Sequence, residues 1–171
     1  MRRTSSPGLS GIHPNLFPWL TLPAALVAVA VEGWFFRPRG IPVALTVIVV
    51  FANGVRCREF TALVIGAGAG LFVDLASGTL LGINTLTLGV VGFSASALQP
   101  VFLRIEGVIS IVLVGILTLL EGFLSGILLQ VFLEFPLSVS WISHVILRGA
   151  CTALVWIPGA FLWTGERDGS V

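Results

Sequence analysis

Residues 70–86 read Gly70-Leu71-Phe72-Val73-Asp74-Leu75-Ala76-Ser77-Gly78-Thr79-Leu80-Leu81-Gly82-Ile83-Asn84-Thr85-Leu86. One acid, Asp74, stands in an otherwise apolar run. Asp74 and Ser77 carry side chains that bind free backbone N–H groups at a helix start. Gly78 and Gly82 tolerate positive φ or a close backbone approach. The stretch predicts an apolar helix ending at Asp74, a capped turn, and a new helix from about Ile83. Non-helical backbone at membrane depth must be buried in protein or solvated, so a buried re-entrant hairpin is expected. An ordinary outer loop with a capping Asp is the plainer reading.

The rest of the chain supports a lipid environment. The 171 residues are 56% hydrophobic and 10% charged, against about 25% charged in soluble domains. Mean hydropathy is +1.06. These values argue against a soluble enzyme, a nucleic-acid-binding module or a disordered chain. A net charge of +1 gives no field for drawing in DNA or RNA. Two cysteines, Cys57 and Cys151, form no disulfide framework.

A crossing helix needs about 20 apolar residues. Cutting where charges, Pro and Gly cluster predicts spans over residues 17–36, 41–55, 60–73, 83–103, 107–133 and 139–163. The second and third are short, and invite local thinning or a break. The runs are continuous, whereas barrel strands alternate, so the fold class expected is an all-α bundle of about six transmembrane helices. It occupies residues 17–164, with tails at 1–16 and 165–171. Arg2, Arg3, Arg56, Arg58, Arg104 and Arg167 fall on the side of the termini, and Arg37 and Arg39 on the other. The positive-inside rule then puts both termini in the cytoplasm. Arg2-Arg3, an apolar run and Ala28-Val29-Ala30 imitate a secretory signal. The run is long, and boundary aromatics follow it, so a retained first span is expected.

Ionisable groups inside a membrane are costly and functional by default. Four fall within the spans: Glu32, Asp74, Glu121 and Arg148. Spans five and six form a hairpin about Pro136, which leaves Glu121 and Arg148 about 4.5 Å apart in depth. An intramembrane ion pair is expected, structural in its plain reading, a charged path lining in its sharper one. Glu32 is expected to snorkel toward Arg37 and Arg39 at the boundary. His13 and His144 have no partner at ligand spacing, so no metal site is expected. No nucleophile triad, P-loop or dinucleotide fingerprint occurs, and neither catalytic residues nor a cofactor are expected.

Gly66-x-x-x-Gly70, Gly122-x-x-x-Gly126 and Ala24-x-x-x-Ala28 have the spacing that lets helices approach closely. Together they predict a tight bundle with at least one face left for a partner.

The central stretch resembles the rod shape-determining protein MreD family. Its pattern G-L-x-x-D-L-x-x-G-x-x-L-G-x-x-x-L falls on Gly70, Leu71, Asp74, Leu75, Gly78, Leu81, Gly82 and Leu86. The Arg37-Pro38 pair after the first span is also typical of that family, and length and span count agree along nearly the whole chain. The departure is at Asn84, where that family often has other small or polar residues. The resemblance implies a non-enzymatic subunit of the bacterial inner membrane, working in the elongasome (rod complex). The implied partners are MreC directly, and MreB, RodA and a class B penicillin-binding protein in the wider complex, with self-association possible. It also implies a fold similar to the S components of energy-coupling-factor transporters. That likeness supplies the alternative: a vitamin-binding S component, with Glu32, Trp34, Asp74, Asn84, Trp141 and His144 as candidate pocket groups.

Overall fold

The computed structural model describes residues 17–36, 40–78, 80–102, 107–133 and 139–168. Among these every regular element is helical. The order is α1 (Phe17–Val31), a π-helical extension (Glu32–Phe36), α2 (Leu45–Gly54), α3 (Glu59–Ser77), α4 (Ile83–Ala97), the short α5 (Gln99–Phe102), α6 (Gly107–Leu133) and α7 (Val139–Asp168).

Glycine sets the closest contact. In α3, a Cβ on Gly66 would collide with the Leu88 carbonyl, and one on Gly70 with the Asn84 carbonyl. Gly92 of α4 meets the Ala62 carbonyl in the same way. The antiparallel α3–α4 pair thus packs backbone to backbone, as small residues permit in membranes. α6 and α7 are also antiparallel: Gly122 receives Val145, and Gly126 receives the Trp141 ring. The glycine faces are therefore filled within the chain and are not left for a partner. Of the alanine pair in α1, Ala28 is buried and Ala24 is exposed.

The short α2 lies at the centre. Val47, Val50 and Phe51 are fully buried, packed with Leu88 and Val91 of α4 and Val114 and Leu117 of α6. Ten residues rise about 15 Å, half of a roughly 30 Å hydrocarbon core. α1 packs on α2 and α3, with Ala25 and Ala28 in the core. α6 and α7 pack chiefly on each other and meet the α1–α4 group mainly through α4 and α2. A seam therefore separates two sub-bundles.

Among the described residues three helical stretches are long and apolar enough to cross a membrane: Glu59–Ser77, Ile109–Phe132 and Val139–Ala160. Pro23–Phe36, Leu45–Gly54 and Ile83–Ala97 are apolar but shorter. The sequence boundaries change in three places. Span three does not stop at Asp74; α3 continues to Ser77, because the αL residue Gly78 ends it by donating its N–H to the Asp74 carbonyl at 3.1 Å. The fourth span breaks at Leu98, ahead of Gln99-Pro100. The first ends as a π-helix instead of an α-helix.

Candidate functional site

Two buried polar constellations sit where α1 and α3 end and α2, α4 and α7 begin. The first is built on Asp74. It is 1% exposed, in the last turn of α3. Its Oδ2 accepts the Gly82 N–H at 2.9 Å, the Thr85 N–H at 3.1 Å and the Thr85 hydroxyl at 2.8 Å. Its Oδ1 accepts the Asn84 N–H at 3.1 Å and the Asn84 side-chain amide at 2.8 Å. One carboxylate thus satisfies the free N–H groups at the start of α4, where the helix dipole also favours a negative charge. The turn reaches it because Gly78 and Gly82 adopt φ of +63° and +112°, values costly for a residue with a Cβ. The Ser77 hydroxyl turns back and donates to the Val73 carbonyl at 2.7 Å. Asn84 is a working member of this knot.

The second constellation spans the seam. Arg148 of α7 lies between two carboxylates, with Nη1 3.2 Å from Glu121 Oε2 and Nη2 3.6 Å from Glu32 Oε1. Glu32 Oε2 also accepts the Thr46 hydroxyl at 3.0 Å. The expected approach of Glu32 to Arg37 and Arg39 involves residues outside those described. The π-helical turn carries Glu32 inward, onto the start of α2 and the side chain of α7. Arg37 and Pro38 themselves lie outside the described residues. Below Arg148 the seam is closed. The Thr152 hydroxyl accepts the Ala44 N–H at 3.0 Å. Trp156 stacks edge-on against Phe51, ring centroids 5.7 Å apart, and its indole N–H donates to the Ser110 hydroxyl at 3.0 Å. The Ala44 and Trp156 N–H groups would otherwise be lone donors in an apolar core.

Above Arg148 the seam opens. A cavity of about 100 Å³ lies against Glu32, Glu121, Arg148, Thr46 and Asn84. It adjoins a cleft of about 340 Å³ whose walls include Ile41, Ser125, Trp141 and His144. Of the residues proposed for a vitamin pocket, Glu32, Asn84, Trp141 and His144 converge on these two spaces. Asp74 is spent on its knot, and Trp34 points away, 88% exposed. Among the described residues no three His, Cys, Asp or Glu side chains are placed to hold a metal ion.

The family pattern divides cleanly in space. Gly70, Asp74, Gly78 and Gly82 build the turn. Its leucines face outward: Leu71 is 42%, Leu75 62%, Leu81 68% and Leu86 59% exposed. Thr46, Thr85 and Thr152 escape sequence reading, because a threonine in an apolar helix is common. The signal for Thr85 was its place one turn into a helix that begins beside a buried acid. Cys57, in the α2–α3 loop, has a thiol pushed up by burial, which makes it an unreactive cysteine.

A family model described as rod shape-determining protein MreD matches residues 14–163. No curated protein and no solved structure matches the chain.

Proposed function

The chain belongs to the MreD family of rod shape-determining proteins, and from that membership we propose that it is a non-catalytic scaffold of the bacterial inner membrane that binds MreC directly. MreB, RodA and a class B penicillin-binding protein complete the complex around it. Both termini face the cytoplasm in this reading, and all six predicted spans cross. The observation that carries it is the split of the family pattern. The polar and glycine positions lock α3 to α4 through Asp74, while Leu71, Leu75, Leu81 and Leu86 are left on the surface of that rigid pair. A scaffold needs a stiff element with a defined apolar face, and packing is the main force between helices in lipid. A single MreC span laid along this face would meet both helices at once.

The test is genetic and physical together. In cells depleted of the native protein, Leu75→Trp combined with Leu86→Trp is expected to insert at normal levels yet fail to restore rod shape or retain MreC. Full rescue by that variant would remove the leucine face from the account.

The alternative transporter reading draws on the polar cleft beside Trp141 and His144. It requires a transmembrane coupling subunit and ATPases as companions, which the scaffold reading does not.

A further inference from the structure

The Glu32–Arg148–Glu121 cluster has more carboxylates than cations. Two carboxylates share one guanidinium, so with both ionised the chamber holds one excess negative charge. Glu121 is 3% exposed, and its Oε2 has the ion pair but no hydrogen bond. Its Oε1 meets only the Ser125 hydroxyl, at 3.5 Å. Glu32 Oε1 lies 3.6 Å from the Arg148 Nη2. Such lone pairs are costly in a low-dielectric interior unless a donor joins them. The space is present: about 100 Å³ beside these oxygens, where a water needs about 10–15 Å³.

The chemistry narrows what fits. A divalent metal wants three or more hard ligands at short range, and the described residues contain no such group of His, Cys, Asp or Glu. A quaternary ammonium has no N–H to give and prefers several aromatic faces, whereas the cleft wall offers Trp141. A primary ammonium brings one charge and three donors, with no acceptor left over.

We propose that the chamber between Glu32, Glu121 and Arg148 is a binding site for a primary ammonium group, which reaches it through the cleft beside Trp141 and His144. Glu32 belongs to the α1–α4 sub-bundle and Glu121 to the α6–α7 pair. The bound ammonium therefore bridges the seam at the point where its zipper of hydrogen bonds ends, and ties the two sub-bundles together. The ammonium is carried either by a free amine or by the headgroup of an aminophospholipid. The proposal stands whether or not MreC binds.

The experiment is thermal unfolding of the full chain in nanodiscs of phosphatidylcholine, at constant ionic strength. Three probes are titrated: n-butylammonium, the uncharged n-butanol, and tetramethylammonium, which has charge but no donors. The expected result is a saturable rise in Tm, on the order of 5 °C at 100-fold excess over half-saturation, with n-butylammonium alone. Glu121→Gln should abolish the rise, and Glu59→Gln, on an exposed residue of α3 outside the cleft, should keep it. Equal responses to all three probes, no response, or a rise retained in Glu121→Gln would each overturn the site. If Glu121→Gln melts too low to titrate, Glu32→Gln replaces it, and the contrast between n-butylammonium and tetramethylammonium on the unmodified chain still decides. Discs of phosphatidylethanolamine separate the sources. A higher starting Tm there, with no further gain from n-butylammonium, assigns the site to the lipid headgroup. An undiminished gain in both discs assigns it to a free amine.

Discussion

Glu32 and Arg148, at the end of the first long helix and near the start of the last, lie 3.6 Å apart across the seam between the two sub-bundles. Nothing in their sequence neighbourhoods announces the pairing. It arises because the π-helical turn at 32–36 rotates Glu32 inward and because Arg148 already stands beside Glu121. One guanidinium thereby holds both halves of the bundle.

Arg148→Gln is expected to destabilise the bundle by roughly 2–4 kcal/mol, at the lower end of what breaking a buried pair costs because the arginine is partly exposed. Glu121→Gln should be milder. A double-mutant cycle between the two should show coupling of about 0.5–3 kcal/mol. Additive effects in thermal unfolding would mean that the ion pair contributes nothing.

Asp74→Ala removes the acceptor from five hydrogen bonds, made by the part-buried donors of Gly82, Asn84 and Thr85. At about 1.5–3 kcal/mol per hydrogen bond to a charged group, the turn should open, seen as protease cleavage within residues 78–86. Asp74→Asn keeps some acceptor capacity and should be intermediate. Resistance of Asp74→Ala to protease would show that the knot is not what holds the hairpin.

Glycine substitutions should separate by position. Gly70→Ala drives a methyl into the Asn84 carbonyl, so α3 and α4 must part, at a cost of about 1–3 kcal/mol. Gly33→Ala meets nothing within 4 Å and should be neutral or slightly stabilising. A Cβ at Gly82 meets nothing within 4 Å, yet φ of +112° strains Gly82→Leu by about 1–3 kcal/mol. Comparing the three melting temperatures checks the assignment of crowding against backbone strain.

Cys57 should label slowly. Burial holds its thiol above the ordinary value of 9.0, so the thiolate that reacts is scarce at neutral pH. In a Cys151→Ala background, maleimide labelling at pH 7.5 should be slower than that of a free thiol, with its half-rise above pH 9. Fast labelling at pH 7.5 would place the side chain in water.

The sequence carried the helical architecture and the hairpin at residues 70–86 because both are local. Apolar length, glycine and a capping acid act within a few turns. The pairing of Glu121 with Arg148 was also legible, since one hairpin fixes their depths. The pairing of Glu32 with Arg148 was not legible because the partner comes from a helix more than a hundred residues away, and because the natural local candidates, Arg37 and Arg39, stand close to it in sequence. The burial of α2 was equally illegible: its ten residues look like a weak span, and only the packing of α4 and α6 makes them the core. The small-residue pairs told that helices would come close, but not that the partners were α4 and α7 of the same chain.

The central claim is that this bundle holds MreC. It is tested most directly by purifying the tagged protein from its native membrane in mild detergent and identifying what accompanies it by mass spectrometry. The account expects MreC in stoichiometric yield, with the wall-synthesis enzymes in part, and its loss from Leu75→Trp/Leu86→Trp. Recovery of a transmembrane coupling subunit with two ATPases, and no MreC, would contradict it.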